Sequence, residues 1–371
     1  MEQPRSPALL YAIFFATGIA TVQMGLVLPQ MHSRSLGDSA IGLLLAMQFS
    51  GQLAGALFVG RRPARAVIYG MALTVLTAIV LAFPRGLHPA TLLLFGLGLG
   101  ITMTAINILA GREVTPAARI RRLQILNVFW PVGAAAAPWF IRGSTRILKQ
   151  PERSYAALAL CTAVLLLFFA LRFCGKQTSV STQHDEEHRI RISQLALFCL
   201  FAALAVGIEA SLANWIPTFA VRYLSGTTAA SLAATAFWCG ILSGRFIADK
   251  SLQRVSWRTF GVLSSVLCAL AVCGILASHS TPVFIATAFL AAFFVAPLYP
   301  AVLAHSVHVR WKNAVFVAAG CGSALIPWLV GQTSVTRASL RTAMFLPAIA
   351  AILLATALLL GVRHTMMTTE H

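Results

Sequence analysis

The feature that most constrains this sequence is the recurrence of apolar runs long enough to cross a bilayer. A spanning helix needs about 20 predominantly apolar residues. Twelve such runs lie between charged or Pro/Gly-rich breaks, at 8–31, 38–60, 66–84, 89–111, 120–142, 154–174, 193–220, 227–248, 257–277, 282–305, 313–335 and 339–362. Of the 371 residues, 58% are hydrophobic and only 10% charged, where a soluble chain carries about 25% charged residues. A soluble enzyme, a disordered chain and a coiled coil are excluded on that ground. The formal charge of +18 does not point to nucleic acid, because basic residues in such chains gather in cytoplasmic loops. With the amino terminus inside, 19 of the 28 Lys and Arg fall in cytoplasmic segments. This predicts a multi-pass protein of a bacterial-type inner membrane with both termini cytoplasmic. The first apolar run reaches Met31 and exceeds a signal-peptide core, so it reads as a span that stays.

The longest polar stretch, Lys176 to Arg191, separates spans six and seven. It divides the chain into an N-terminal six-helix bundle (1–175), a cytoplasmic linker (176–192) and a C-terminal six-helix bundle (193–371). The halves resemble each other. Gly51 and Gly55 recur as Gly240 and Gly244, and Gly133, Pro138 and Trp139 recur as Gly322, Pro327 and Trp328, all 189 residues apart. The expected fold is therefore an all-α membrane protein with twelve transmembrane helices in two pseudo-symmetric six-helix bundles. Parallel repeats of this kind are a known transporter plan. The Gly-x-x-x-Gly pairs at 51–55 and 240–244 let helices approach closely.

Spans three, six, nine and twelve are nearly pure Ala, Leu, Val, Ile and Phe and form the natural lipid-facing set. Polar side chains sit in the others: Gln23, Gln48, Gln52, Asn107, Asn127, Glu209, Asn214, Tyr299 and Gln332. Unpaired polar groups are costly in hydrocarbon, so these should face the bundle interior or a wet cavity. Among the acids, Glu209 alone lies deep in a span; Asp38 and Glu152 read as loop residues. An ionised carboxylate there costs at least ~3 kcal/mol, so it must be protonated, paired or wet. It is either a proton acceptor or a static strut. Asn107 and Asn127 fall at similar depth and either bond one another or bind ligand hydroxyls. Trp215 is an interfacial belt residue or an aromatic platform, and Trp238, near mid-span, is core or platform. Arg245 and Asp249, four apart at a cytoplasmic helix end, can pair as a latch.

The seven cysteines lie in or beside apolar stretches and read as buried free thiols. The run His184 to His188 reads as a solvated linker. No metal-ligand spacing, catalytic constellation or phosphate loop is present, so no metal, no cofactor and no enzymatic activity are expected.

At several of these residues the chain resembles the major facilitator superfamily, and within it the fucose–galactose–glucose/proton symporter family. The matching stretches are Gly96 to Gly100 with Asn107; Leu126-Asn127 with Gly133 and Pro138; and Gly207, Glu209, Trp215 and Pro217. Phe237 to Gly240 through Gly244-Arg245, Ala296 to Pro300, and Gly320 to Gly331 around Pro327-Trp328 also match. The resemblance implies alternating access between two bundles of a monomer, with helices one, four, seven and ten lining a central cavity. Two features depart from it. Span one offers no acid and Met103 stands four before Asn107, where proton-coupled members can carry carboxylates. The stretch from Gly55 to Arg61-Arg62 lacks the usual Asp.

The implied function is transport of a small polar solute, most simply a monosaccharide of hexose or fucose type, coupled to protons through Glu209. Asn107, Asn127 and the glutamines would orient hydroxyls, and Trp215 and Trp238 would stack on the sugar. The rivals are a drug/proton antiporter of the same fold, an uncoupled sugar facilitator, and a polytopic membrane enzyme or transport-dead sensor, the acid inventory arguing against the enzyme.

Overall fold

The computed structural model describes residues 7–31, 36–60, 62–111, 116–173, 192–224, 226–251, 255–306 and 312–366. The linker with His184 to His188 lies outside these, as do His308 and the side chains of Asp249 and His305. The regular elements are helices: α1 (Pro7–Met31), α2 (Asp38–Leu57), α3 (Pro63–Leu81), α4 (Pro89–Ala110), α5 (Pro116–Leu148), α6 (Ser154–Phe173) and α7 (Ile192–Tyr223). There follow α8 (Thr227–Ser251), α9 (Trp257–Ala277), α10 (Thr281–Val295), α11 (Leu298–Ser306), α12 (Lys312–Thr336), α13 (Leu340–Ala343) and α14 (Phe345–Met366). They supply twelve segments long and apolar enough to span a membrane.

Spans ten and twelve differ from the single helices expected. Each is in two pieces, α10 with α11 and α13 with α14. Proline chemistry explains both breaks. Pro297 has no N–H, so the Phe293 carbonyl loses its i+4 donor, and Pro300 removes the next one but two. The chain turns at Ala296-Pro297 and restarts. Pro347 does the same to the Ala343 carbonyl, and falls in the first turn of α14, where proline is tolerated.

Contacts divide the chain into two compact units, Met1–Ser35 with Met47–Thr182, and Leu36–Ala46 with Gln183–His371. In unit 1, α1 packs on α5, and α3 on α4 and α6; in unit 2, α7 packs on α12, α8 on α10, and α9 on α10 and α14. The same crossing appears in both. In unit 1, a Cβ on Gly18 would strike the Trp130 carbonyl and one on Gly133 the Phe15 carbonyl. In unit 2, a Cβ on Gly322 would strike the Ala203 carbonyl, and one on Gly207 would come within 2.8 Å of the Gly322 carbonyl. Gly18 and Gly207 are 189 residues apart, as are Gly133 and Gly322. Among the described residues, positive φ at a non-glycine occurs at Lys149 (66°) and Ala338 (50°), which are again 189 apart and end α5 and α12. Such residues are uncommon, so their spacing repeats a specific chain reversal.

Large apolar side chains point outward from α3 (Leu76, Ile79), α6 (Leu160, Leu167, Phe168), α9 (Leu263, Leu270) and α14 (Ile352, Leu353). Apolar side chains exposed along spanning helices suit contact with lipid tails. The cysteines correct the expectation of burial: Cys268 is buried, whereas Cys161, Cys239, Cys273 and Cys321 are exposed on helix surfaces.

Candidate functional site

Three side chains singled out in the sequence meet in unit 2. Glu209 stands mid-helix on α7, and Arg245 near the end of α8. Glycines set α8 close: a Cβ on Gly240 would strike the Phe289 carbonyl, and one on Gly244 the Phe293 carbonyl, the group that Pro297 leaves without its helical donor. The next residue, Arg245, then reaches α7. Its Nη2 lies 3.6 Å from Glu209 Oε1. That is an ion pair beyond hydrogen-bonding distance. Arg245 Nε is buried with no hydrogen-bond partner. The break before α11 sets Tyr299 within electrostatic reach of both charges. The Glu209 side chain is 14% exposed and that of Arg245 31%, so the pair is not sealed. Of the expected Arg245–Asp249 latch, the Asp249 side chain lies outside the described residues. Of the states left open for Glu209 in the sequence (protonated, paired or wet), the structure supplies a cation beside it.

The internal repeat tells whether the fold requires these groups. Shifting by 189 residues carries Glu209 and Arg245 onto Ala20 and Ala56. On the paired helix the shift is 196, since Phe289 and Phe293 take the places of Leu93 and Leu97 against the glycines. That shift carries Tyr299 onto Met103. Unit 1 builds the same packing with Ala, Ala and Met. There Ala20 lines a void of about 10 Å³ with Thr17, Thr74 and Thr102, room for roughly one water.

The remaining sequence candidates are scattered. Gln23 is fully buried and donates to Ser154 Oγ at 2.8 Å; Gln48 is fully buried and donates to the Thr21 carbonyl at 2.7 Å. Both tie helices together, and each keeps a buried Oε1 without a partner. Asn107 and Asn127 do not bond one another: each donates back to its own helix, to Met103 O at 2.9 Å and Leu123 O at 2.8 Å. Asn214 likewise donates to Ala210 O, at 2.8 Å. Trp215 is fully buried, its Nε1 donating to the Pro327 carbonyl at 3.0 Å, so it presents no platform here; Pro327 and Pro138 lie inside α12 and α5. Trp238 is buried edge-on against Phe237, with ring centroids 5.4 Å apart. A Cβ on Gly51 or Gly55 would strike the carbonyls of Leu93 and Leu97 on α4.

The sequence profile of the Major Facilitator Superfamily matches residues 9–316. The chain belongs to that superfamily. It is 22% identical over 355 residues to the glucose/mannose transporter GlcP of Bacillus subtilis, covering 86% of each chain. It is 22% identical over 186 residues to a TsgA homolog of Buchnera aphidicola, about half of each chain (49% and 47%). Among solved structures, its fold is similar to the E. coli fucose:proton symporter FucP (TM-score 0.59, 16% identity, 95% and 97% of the two chains). It is also similar to a bacterial homolog of the lysosomal transporter Spinster (TM-score 0.74, 15% identity, 98% of each).

This superfamily transporter has a second polar cluster that sequence reasoning missed. Asp38, read as a loop residue, opens α2 and is buried, forking onto Arg222 from α7 and accepting from Ser334 Oγ of α12. Beside it Gln332 donates to Ser39 Oγ at 2.7 Å. Arg341 lies over the rings of Tyr223 and Phe219, 5.0 and 5.9 Å from their centroids. Separations of 184 and 296 residues leave no local pattern to find. Ser211 and Thr218 were also missed: with Asn214 they form a buried stripe on α7 with partnerless oxygens, at helical spacings of three and four that the sequence displays.

Proposed function

We propose that the protein is a proton-coupled carrier of a small polar solute of monosaccharide type, with Glu209, Arg245 and Tyr299 as its coupling site. One observation carries the reading. A carboxylate and a guanidinium stand in spanning helices, 3.6 Å apart, short of a hydrogen bond and partly open, at positions that the repeat fills with alanine. An ion pair kept for stability would close to bidentate contact. A pair kept for turnover must part. Ionised groups in spans mark ion and substrate pathways. The substrates that the names of the similar proteins carry, glucose/mannose and fucose with a proton, support a sugar-sized solute. In the cycle, protonation of Glu209 releases Arg245 to the solute, and deprotonation toward the cytoplasm restores the pair and expels it.

Reconstitution into liposomes tests this, with an imposed inward proton gradient and a panel of neutral hexoses, hexuronates and lipophilic cations. Glu209→Gln abolishes gradient-driven accumulation of whichever solute the protein moves, while solute exchange at equal pH persists. Full accumulation by Glu209→Gln overturns the reading, and ethidium movement without sugar movement selects the antiporter.

A further inference from the structure

Charge bookkeeping at the same site narrows the solute. We infer that the transported solute is a small hydroxylated carboxylate, bound by Arg245 at the moment Glu209 takes up its proton. This rests on the reading of Glu209, Arg245 and Tyr299 as the coupling site.

With Glu209 ionised, the two charges cancel. When Glu209 is protonated, Arg245 becomes a single cation between helices, and a guanidinium cannot shed its charge. Arg245 on α8 and Tyr299 on α11 both interact electrostatically with Glu209. Among the described residues, Glu209 is the acid paired with Arg245. A neutral sugar entering then leaves an unmatched charge in a low-dielectric site, which is costly. A solute carboxylate removes the mismatch, and proton and anion enter together with no net charge moved.

The donor geometry agrees. Arg245 Nε is buried without a partner, and Nη2 is too far from Glu209 for a hydrogen bond. A guanidinium edge with free Nε–H and Nη–H is the fork that matches a carboxylate in two parallel bonds. The Tyr299 hydroxyl can take or give one bond to a solute hydroxyl. Glu209 never leaves the protein; it lends its place to the incoming carboxylate. The corresponding Ala20, Ala56 and Met103 of unit 1 offer none of this chemistry.

Two kinds of solute share the chemistry, a sugar acid and a short hydroxy acid. Proteoliposomes carrying the whole protein are therefore given D-glucuronate, D-lactate or D-glucose under an inward proton gradient, with and without an imposed membrane potential. The expected result is accumulation of one of the two acids, insensitive to the potential, with D-glucose neither accumulated nor competing. Arg245→Gln should lower acid uptake about tenfold or more, and Arg245→Lys, which keeps the charge and loses the fork, should fall between. A thermal melt of each variant establishes that it is folded. Accumulation of D-glucose with no uptake of or competition by either acid overturns the inference. If Glu209→Gln abolishes that glucose accumulation, the coupling site stands without the carboxylate. If Glu209→Gln accumulates as wild type does, both fall.

Discussion

Asp38 and Arg222 meet as two forks, Nη1 donating to Oδ2 at 2.8 Å and Nη2 to Oδ1, and Ser334 Oγ also donates to the carboxylate. The contrast with Glu209 and Arg245 is one of closure: the first pair is bidentate, the second is 3.6 Å apart. The first is the geometry of a tie, pinning the start of α2 to α7 and α12. Asp38 is nearly buried, and Arg222 keeps about a fifth of its side chain exposed (9% and 21%). Removing one partner takes both bonds of the fork from the other. Asp38→Asn is expected to destabilise the protein by about 1–3 kcal/mol, and Ser334→Ala by about 1. Arg222→Lys should cost nearly as much as Asp38→Asn, since a point charge cannot reproduce the fork. Melting curves in detergent check the order; a wild-type melt for Asp38→Asn would show the tie to be idle.

Gly244 has no room for a side chain, because the Phe293 carbonyl and the Ala296 Cβ occupy it. Gly244→Ala should therefore force α8 off α10, at about 1–3 kcal/mol for overpacking. It should also pull Arg245 away from Glu209, so uptake falls further than the melt alone explains. Gly143 is the control: nothing lies within 4 Å of a Cβ there, and Gly143→Ala should be neutral or stabilising by up to ~1 kcal/mol from helix propensity. Equal melting of the two variants would contradict the packing argument.

Trp215 gives a prediction that separates packing from solute recognition. Its indole N–H satisfies the Pro327 carbonyl, the i−4 partner of Gly331. Trp215→Phe removes that bond and part of the ring, at about 1–3 kcal/mol. The solute concentration for half-maximal uptake should stay unchanged, because the ring is fully buried. A large rise in that concentration with an unchanged melt would restore the aromatic platform read from sequence.

Architecture was legible in the chain because hydrocarbon leaves few choices. Twelve apolar runs can only be helices, and a 189-residue repeat shows in glycine and proline positions that packing fixes. Glu209 was legible for the same reason, as a charge where charge is expensive. Its partner was not. Arg245 sits near a helix end, where a basic residue is ordinary, and its nearest acid in sequence is Asp249. In the fold it lies beside Glu209 of α7, 36 residues away in sequence. Trp215, Gln23 and Gln48 show the converse limit. A polar atom in a span says that a bond is needed, and the same residue types serve a helix tie or a ligand. The fold decides, through contacts such as Pro327 O and Ser154 Oγ.

The repeat supplies the sharpest test of whether Glu209 and Arg245 serve the fold or the function. Unit 1 holds Ala20 and Ala56 in their places and packs by the same glycine crossings. The double variant Glu209→Ala/Arg245→Ala should therefore fold and melt within about 1 kcal/mol of wild type, since a buried ion pair replaced by apolar groups is often neutral. Each single variant should melt lower, because it leaves one charge without its counter-ion, so the two effects should be strongly non-additive. Gradient-driven uptake should vanish in all three. Additive losses of stability, with the double variant the least stable, would make the pair a structural strut. Uptake surviving in the double variant would move the coupling site elsewhere in the molecule.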